Sequence, residues 1–371
     1  MKLAFKRTCI YMTATSIMIG AVVPSLSHAE ENISNSKSIN IKASACTLPY
    51  TDLKKEWNQM TMDRYISRAA QQIWLTWGET EKIWSGIKLN KYKKALITDS
   101  EKVWIIDIDK KTIEKISYNS LPNEFKDIPF FNTIQYQGED AVFYKLEKDQ
   151  FKKSYHRGEF ESLPNSNLAY VIMTHEAFHG EQNWRDAPEQ SEDVPSENIK
   201  GRIQRLEIVR ALRSAVLNPT KEKQYLQAAA WWYKQYKEQN PKEHQFVHFY
   251  DVIEGSARYF DMALNARSIV GINAKREDIF KKYQKMIELD YTLTSDRYGK
   301  TSLLKDPGIE SYDIGGLAGV LLEKHQYPNW TKSVESGIRP LDILLEGINP
   351  APQENSPEVK KLIEDSLSEK R

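Results

Sequence analysis

The sequence predicts an α+β fold, with a small mixed β-sheet and helices in its N-terminal portion and a mostly α-helical C-terminal portion. Two patterns predict it. Short apolar runs bounded by turn-forming residues occupy the stretch from Ala95 to Leu146, as in strands. Beyond Asn165 nearly every window repeats its apolar residues at three- and four-residue steps, as in helices. At 371 residues, with 40% apolar and 28% charged content, the chain is long enough to fold on hydrophobic burial without disulfide staples. Its 52 basic and 51 acidic residues nearly cancel, so neither nucleic acid nor an anionic membrane is an expected partner.

Taken in order, Lys2, Lys6 and Arg7 precede an apolar stretch from Cys9 to Val23 and the small-residue site Ser27, His28, Ala29. That arrangement reads as a secretory signal peptide over residues 1–29, cleaved after Ala29. The stretch is interrupted by Thr13, Thr15 and Ser16 and is short for a bilayer span. The mature protein is therefore expected to be secreted or periplasmic, with no stable membrane insertion. Cleavage would remove Cys9 and leave Cys46 alone, with no intramolecular disulfide. Residues 30–47 read as a polar linker.

An N-terminal α+β portion is expected over residues 48–155. Trp57, Met60, Tyr65, Ile66, Ala69, Ile73 and Trp77 recur at helical steps and predict an amphipathic helix over residues 52–77. Ala95, Leu96, Ile97 and Val103, Trp104, Ile105, Ile106 flank Asp99 to Lys102 as the arms of a hairpin flank its turn. A second strand pair is expected between Thr133 and Leu146, around Gly138, Glu139 and Asp140. A helical portion is expected over residues 156–348, with helices at 168–184, 199–217, 221–239, 244–266 and 276–294. Asn218–Pro219 and Asn240–Pro241 separate three of them, because proline disfavours helix continuation. Residues 349–371 read as a peripheral helix or frayed tail.

The chemistry concentrates in His175, Glu176, Ala177, Phe178, His179. Histidines four apart on a helix share one face and offer two metal-ligand nitrogens together. Glu176 follows the first by one residue, where it can reach a metal-activated water without competing for the metal, the position of a general base. Zn²⁺ is the expected cofactor, and a hydrolytic zinc site needs a third protein ligand. No histidine follows His179 at the short interval of one zincin subclass, and the inverted motif is absent. A downstream carboxylate remains: Glu254, among Val252, Ile253, Ala257 and Phe260, is best placed, with Asp251, His244 and His248 as rivals.

These two motifs resemble those of the gluzincins, the zincin (HExxH) metallopeptidases in which a second helix carries a glutamate ligand downstream of the paired histidines. The resemblance implies His175, His179 and Glu254 as metal ligands and Glu176 as catalytic base. It implies that Gly255, Ser256 and Ala257 let the helices approach closely. Glu254 follows His179 by 75 positions, and the aspartate often found four residues after the ligand is Arg258 here. Asp251, one turn before Glu254, is an alternative support for the metal ligands. Zincins commonly take an oxyanion donor from beyond the second metal helix. Tyr312, placed in a loop before a helical run at residues 317–322, is the catalytic candidate for that role, with Arg258 and His325 as alternatives. Trp184, Trp231, Trp232 and Trp330 read as core residues rather than a substrate groove. The function expected is zinc-dependent cleavage of a peptide or protein substrate; the alternative is a secreted, non-catalytic metal- or partner-binding protein on a zincin scaffold.

Overall fold

The computed structural model describes residues 62–146, 168–184, 198–290, 293 and 308–368, with the short strands Thr8–Cys9, Ala21–Val22 and Ile39–Lys42. The expected cleavage site, Cys46 and residues 52–61 of the first expected helix lie outside the described residues. The α+β class is as expected: a small mixed sheet, then helices.

The sheet is built from β1 (Lys94–Thr98), β2 (Lys102–Asp107), β3 (Thr112–Ser117), β4 (Phe131–Tyr136) and β5 (Glu139–Lys145) in the order β3-β2-β1-β5-β4. Only β1 and β5 run parallel, pairing Leu96 with Phe143. The expected hairpin forms with Leu96 opposite Ile105, and Asp99 closes its turn by accepting from the backbone N–H groups of Glu101 and Lys102 at 2.9 and 2.8 Å. The second expected pair turns through Gln137 and Gly138, both at positive φ, as a two-residue hairpin requires. Ile39–Lys42, within the expected linker, pairs antiparallel along the outer edge of β3.

Both faces of the sheet are covered, so its central strands β1 and β2 are buried over nearly their whole length. Ala95, Ile97, Trp104, Ile106, Val142 and Tyr144 belong to a core continuous with the helical half. Leu96, Val103, Ile105, Ala141 and Phe143 face a smaller cluster closed by Leu121, Phe125 and Ile128. Helix α1 (Met62–Thr76) lies over the first face, where Trp104 and Lys115 both donate to Asp63 and Trp74 donates to the carbonyl of Asp107. A short helix α2 (Asn123–Lys126) lies under the other face.

The helical half comprises α3 (Leu168–Glu181), α4 (Ile199–Leu217), α5 (Glu222–Gln239), α6 (Pro241–Phe246), α7 (His248–Val270), α8 (Arg276–Asp290), α9 (Ile309–Lys324), α10 (Trp330–Glu335), α11 (Pro340–Leu344) and α12 (Pro357–Ser368). The Asn-Pro breaks fall as expected. The helix expected over residues 244–266 is instead two, divided at Val247, and the Arg339 guanidinium donates to the carbonyl oxygen of His244 ahead of the break. The expected C-terminal tail includes α12, which buries Val359, Leu362 and Ile363 against α4.

Two helices determine where the chemistry sits. α3 is held to α1 and the turn after it: Tyr65 accepts from the Ala169 N–H at 2.9 Å, Thr76 and Tyr170 share a hydroxyl bond of 2.7 Å, and Trp77 donates to Thr174 at 3.1 Å. α7 crosses α9 at backbone contact, since a Cβ added to Gly315 would lie 2.2 Å from the Cα of Gly255. One turn further along, a Cβ on Gly319 would meet the ring of Tyr259 at 2.5 Å. This crossing corrects the placement of Tyr312. Gly315 and Gly316 suggest a loop, yet they lie inside α9, because glycine admits the neighbouring backbone there and the helix begins at Ile309. Among the described residues no helix is long and apolar enough to cross a membrane.

Gly315→Ala is expected to lower stability by about 1–3 kcal/mol through overpacking, although alanine favours helix. Gly78→Ala, whose added methyl meets nothing within 4 Å, is the control expected within about 0.5 kcal/mol of the unsubstituted chain. Equal losses for both in chemical denaturation would remove the crossing as the cause.

Candidate metal centre

His175 and His179 project from one face of α3 toward Glu254 on α7, and the three offer ligand atoms within 4.8 Å of one another. Nε2 of His175 and Nε2 of His179 lie 3.2 and 3.0 Å from the same carboxylate oxygen, Oε2 of Glu254, and 3.1 Å from each other. Tetrahedral ligation with bonds of about 2.0–2.1 Å sets neighbouring donor atoms about 3.3 Å apart, so this triangle suits one small cation. The group can hold a metal ion. Its chemistry agrees with its shape, because two imidazoles and a carboxylate are all metal donors once unprotonated.

Each histidine is steadied through its other ring nitrogen. Nδ1 of His175 meets Oδ2 of Asp261 at 3.0 Å, and Nδ1 of His179 meets Oε1 of Gln182 at 2.6 Å. Asp261 is itself held by Arg258, whose guanidinium donates to Oδ1 at 3.0 Å. Sequence reasoning missed both supports. Asp261 lies two helical turns beyond Glu254, a spacing that keeps it on the same face, and Gln182 lies one turn beyond His179; those periodicities were the available signals.

The other candidates are distributed as follows. Glu176 follows His175 on the same turn and is half-buried. The ring of Tyr312, in the first turn of α9, stacks on that of His175 with centroids 5.8 Å apart and planes 18° from parallel. Asp251 is not a neighbour of the cluster: it accepts from Arg205 at 2.8 Å, Arg339 at 3.1 Å and Ser311 at 2.6 Å. Burial opposes its charge, but the two arginines hold Asp251 below the usual carboxylate range. His244 bonds to Tyr233, His248 to the Gly337 carbonyl and His325 to Glu222, so none of the three joins the group. Burial, aided by the Arg339 charge, pushes His244 down to about 4.

The core reading holds for Trp232 and Trp330, both buried, while Trp184 and Trp231 are half-buried and packed against the core. Trp84 gathers four aromatic neighbours: Trp184 stacks on it at 5.9 Å, Trp330 and Phe178 meet it edge-on at 5.3 and 5.2 Å, and Tyr259 lies tilted at 6.4 Å. Phe178 also stacks on Phe260 of α7 at 4.4 Å, so the residue between the two histidines anchors α3 to α7.

Comparison with protein-family models, characterised proteins and solved structures returns no match for this chain. The functional reading therefore rests on the geometry.

Burial works against a charged His175, but its bonds to Asp261 and Glu254 prevail and raise it to about 10 from 6.5. Burial likewise opposes a charged Glu254, yet His179 and His175 keep it far below the ordinary glutamate range. The raised histidine stabilises the metal-free fold fully below its unfolded value of 6.5, and that contribution disappears as pH rises toward 10. At pH 7 His175 must therefore surrender its proton when a cation binds. Calorimetry in buffers of different ionisation enthalpy is expected to read release of about one proton per ion, with affinity rising with pH. No proton release would argue against His175 as a ligand.

Proposed function

We propose that the protein is an exported zinc-dependent hydrolase, a gluzincin-like metallopeptidase, acting on a peptide or protein substrate. One observation carries the reading: a His-Glu-x-x-His motif on α3 meets a glutamate from α7 so that all three ligand atoms converge. Two histidines and a glutamate form a donor set used by hydrolytic zinc sites, which keep a fourth position open. Export is inferred from the basic, apolar and small-residue pattern of residues 1–29.

His175, His179 and Glu254 would hold the ion. When bound, zinc would supply a Lewis acid that polarises the scissile carbonyl and lowers the pKa of an attacking water toward about 7. Glu176 would accept a proton from the attacking water and deliver it to the leaving amine, so one carboxylate would serve as base and then acid. Asp261 and Gln182 hold the two imidazoles in orientation while charge develops. Tyr312 would donate its phenolic O–H to the oxyanion, a role supported by the stacking of its ring on that of His175. The partly buried ligands keep bulk water from competing with these bonds.

Metal content of the purified mature protein and of a Glu176→Gln variant, each assayed on a broad peptide library, tests the reading. One zinc in each is expected, with turnover falling about 10²–10⁴-fold in the variant. Zinc in both without cleavage would favour a non-catalytic metal-binding scaffold, and no metal in either would sink the proposal.

A further inference from the structure

Resting on the reading of His175, His179 and Glu254 as metal ligands, we propose that Gln182 is a positioning residue that sets the metal affinity by fixing which nitrogen of His179 faces the centre. Gln182 is 3% exposed, so its amide must be satisfied within the protein. Its Nε2 lies 3.1 Å from the carbonyl oxygen of Ile253 and 3.0 Å from the hydroxyl of Ser256. A carbonyl oxygen only accepts, which obliges the NH₂ end of the side chain to point at α7. The Ser256 hydroxyl gives its own proton to the same Ile253 carbonyl, leaving its oxygen to accept from Gln182.

With the NH₂ end committed, Oε1 faces Nδ1 of His179 at 2.6 Å. An amide oxygen has no proton to give, so the imidazole donates from Nδ1. In the neutral ring Nε2 is then the nitrogen that would give its lone pair to a cation held between it, Oε2 of Glu254 and Nε2 of His175. The alternative tautomer would face a hydrogen of His179 into the ligand group and leave two acceptor atoms opposed at Gln182. One amide thus performs two tasks: it selects the ring nitrogen, and it ties α3 to the Ile253 carbonyl, adjacent to Glu254. The first task depends on the amide oxygen alone and the second on its nitrogen, which makes them separable by substitution.

Gln182→Glu keeps an oxygen to accept from Nδ1 but cannot donate to the Ile253 carbonyl; Gln182→Met does neither at similar length. The full chain and both variants are stripped of metal, and zinc affinity is read by competition with a chromogenic chelator. Folding is followed by circular dichroism and melting temperature. Gln182→Met is expected to bind zinc about 10–100-fold more weakly, the usual effect of losing a group that orients a histidine ligand. Gln182→Glu is expected to bind close to the unsubstituted chain although it melts lower.

Unchanged zinc affinity in the Met variant overturns the proposal, as does a folded Glu variant that loses affinity as Met does. Where the Met variant fails to fold, the Glu variant decides: retained affinity supports the assignment and lost affinity overturns it. Absence of zinc binding by the unsubstituted chain overturns this inference together with the metal reading. Zinc binding without peptide cleavage sinks the hydrolase alone and leaves Gln182 to be judged by the affinities.

Discussion

The backbones of α7 and α9 touch where Gly255 meets Gly315, and the relative placement of Glu254 and Tyr312 follows from that contact. Glu254 precedes Gly255 by one residue, and Tyr312 precedes Gly315 by three, so the crossing presents the third ligand and the stacked tyrosine to the same face of α3. Side chains larger than hydrogen would hold the axes further apart, at the 8–10 Å usual for packed helices. Glu254 and Tyr312 would then shift relative to each other around imidazoles that α3 carries on supports both from Tyr65, Thr76 and Trp77 and from α7 through Phe178 and Asp261. A centre assembled from two rigid supports tolerates little change in the distance between them.

Beneath the crossing lies a group of buried charges that specifies the same arrangement. Arg205 on α4 donates to Asp251 on α7 and to Ser311 on α9, while Arg202 bridges Glu243 on α6 and Glu310 on α9. Arg339, at the start of α11, adds a further bond to Asp251. Such pairs yield little net stability, because removing each ion from water costs about what the pairing returns. Their energy is instead steeply directional: a slip of one turn between α7 and α9 would leave Asp251 and Ser311 without Arg205 and strand a buried charge. Asp251 lies one turn before Glu254, and Ser311 is the neighbour of Tyr312. The residues that lock the crossing are therefore interleaved with those that face the metal centre.

Much of the fold was legible because burial imprints a period on the sequence. The α1 stripe, the hairpin around Asp99 and the helix breaks at Pro219 and Pro241 each follow from local preferences that tertiary packing reinforced. Strand β3 escaped notice since Ile113 and Ile116 are three apart: they face opposite sides of a sheet covered on both, and no alternation results. The division between α6 and α7 has neither proline nor glycine to announce it. At the site, His175, Glu176 and His179 were readable as one helical turn, and Glu254 from its apolar surroundings. Asp261 and Gln182 were hidden because their roles depend on how α3 and α7 are rotated about their axes, which no local pattern encodes.

The replacement at Arg258 acquires a physical sense from the same rotation. Residue 258 is one turn beyond Glu254 and offset by about 40° around the axis, whereas residue 261 is two turns beyond and offset by only about 20° the other way. A support at 261 stands about 10 Å along the helix from the ligand, more than a short side chain spans alone. The imidazole of His175 bridges that interval lengthwise, with Nε2 toward Glu254 and Nδ1 toward Asp261. Arg258 occupies the turn between and binds the remaining oxygen of Asp261, leaving Oδ2 for the histidine. His175 is consequently a strut laid along α7 with both ends on the same helix. Straightness of α7 over these two turns becomes a requirement of the centre, and the Gly255–Gly315 contact bears on the helix within that span.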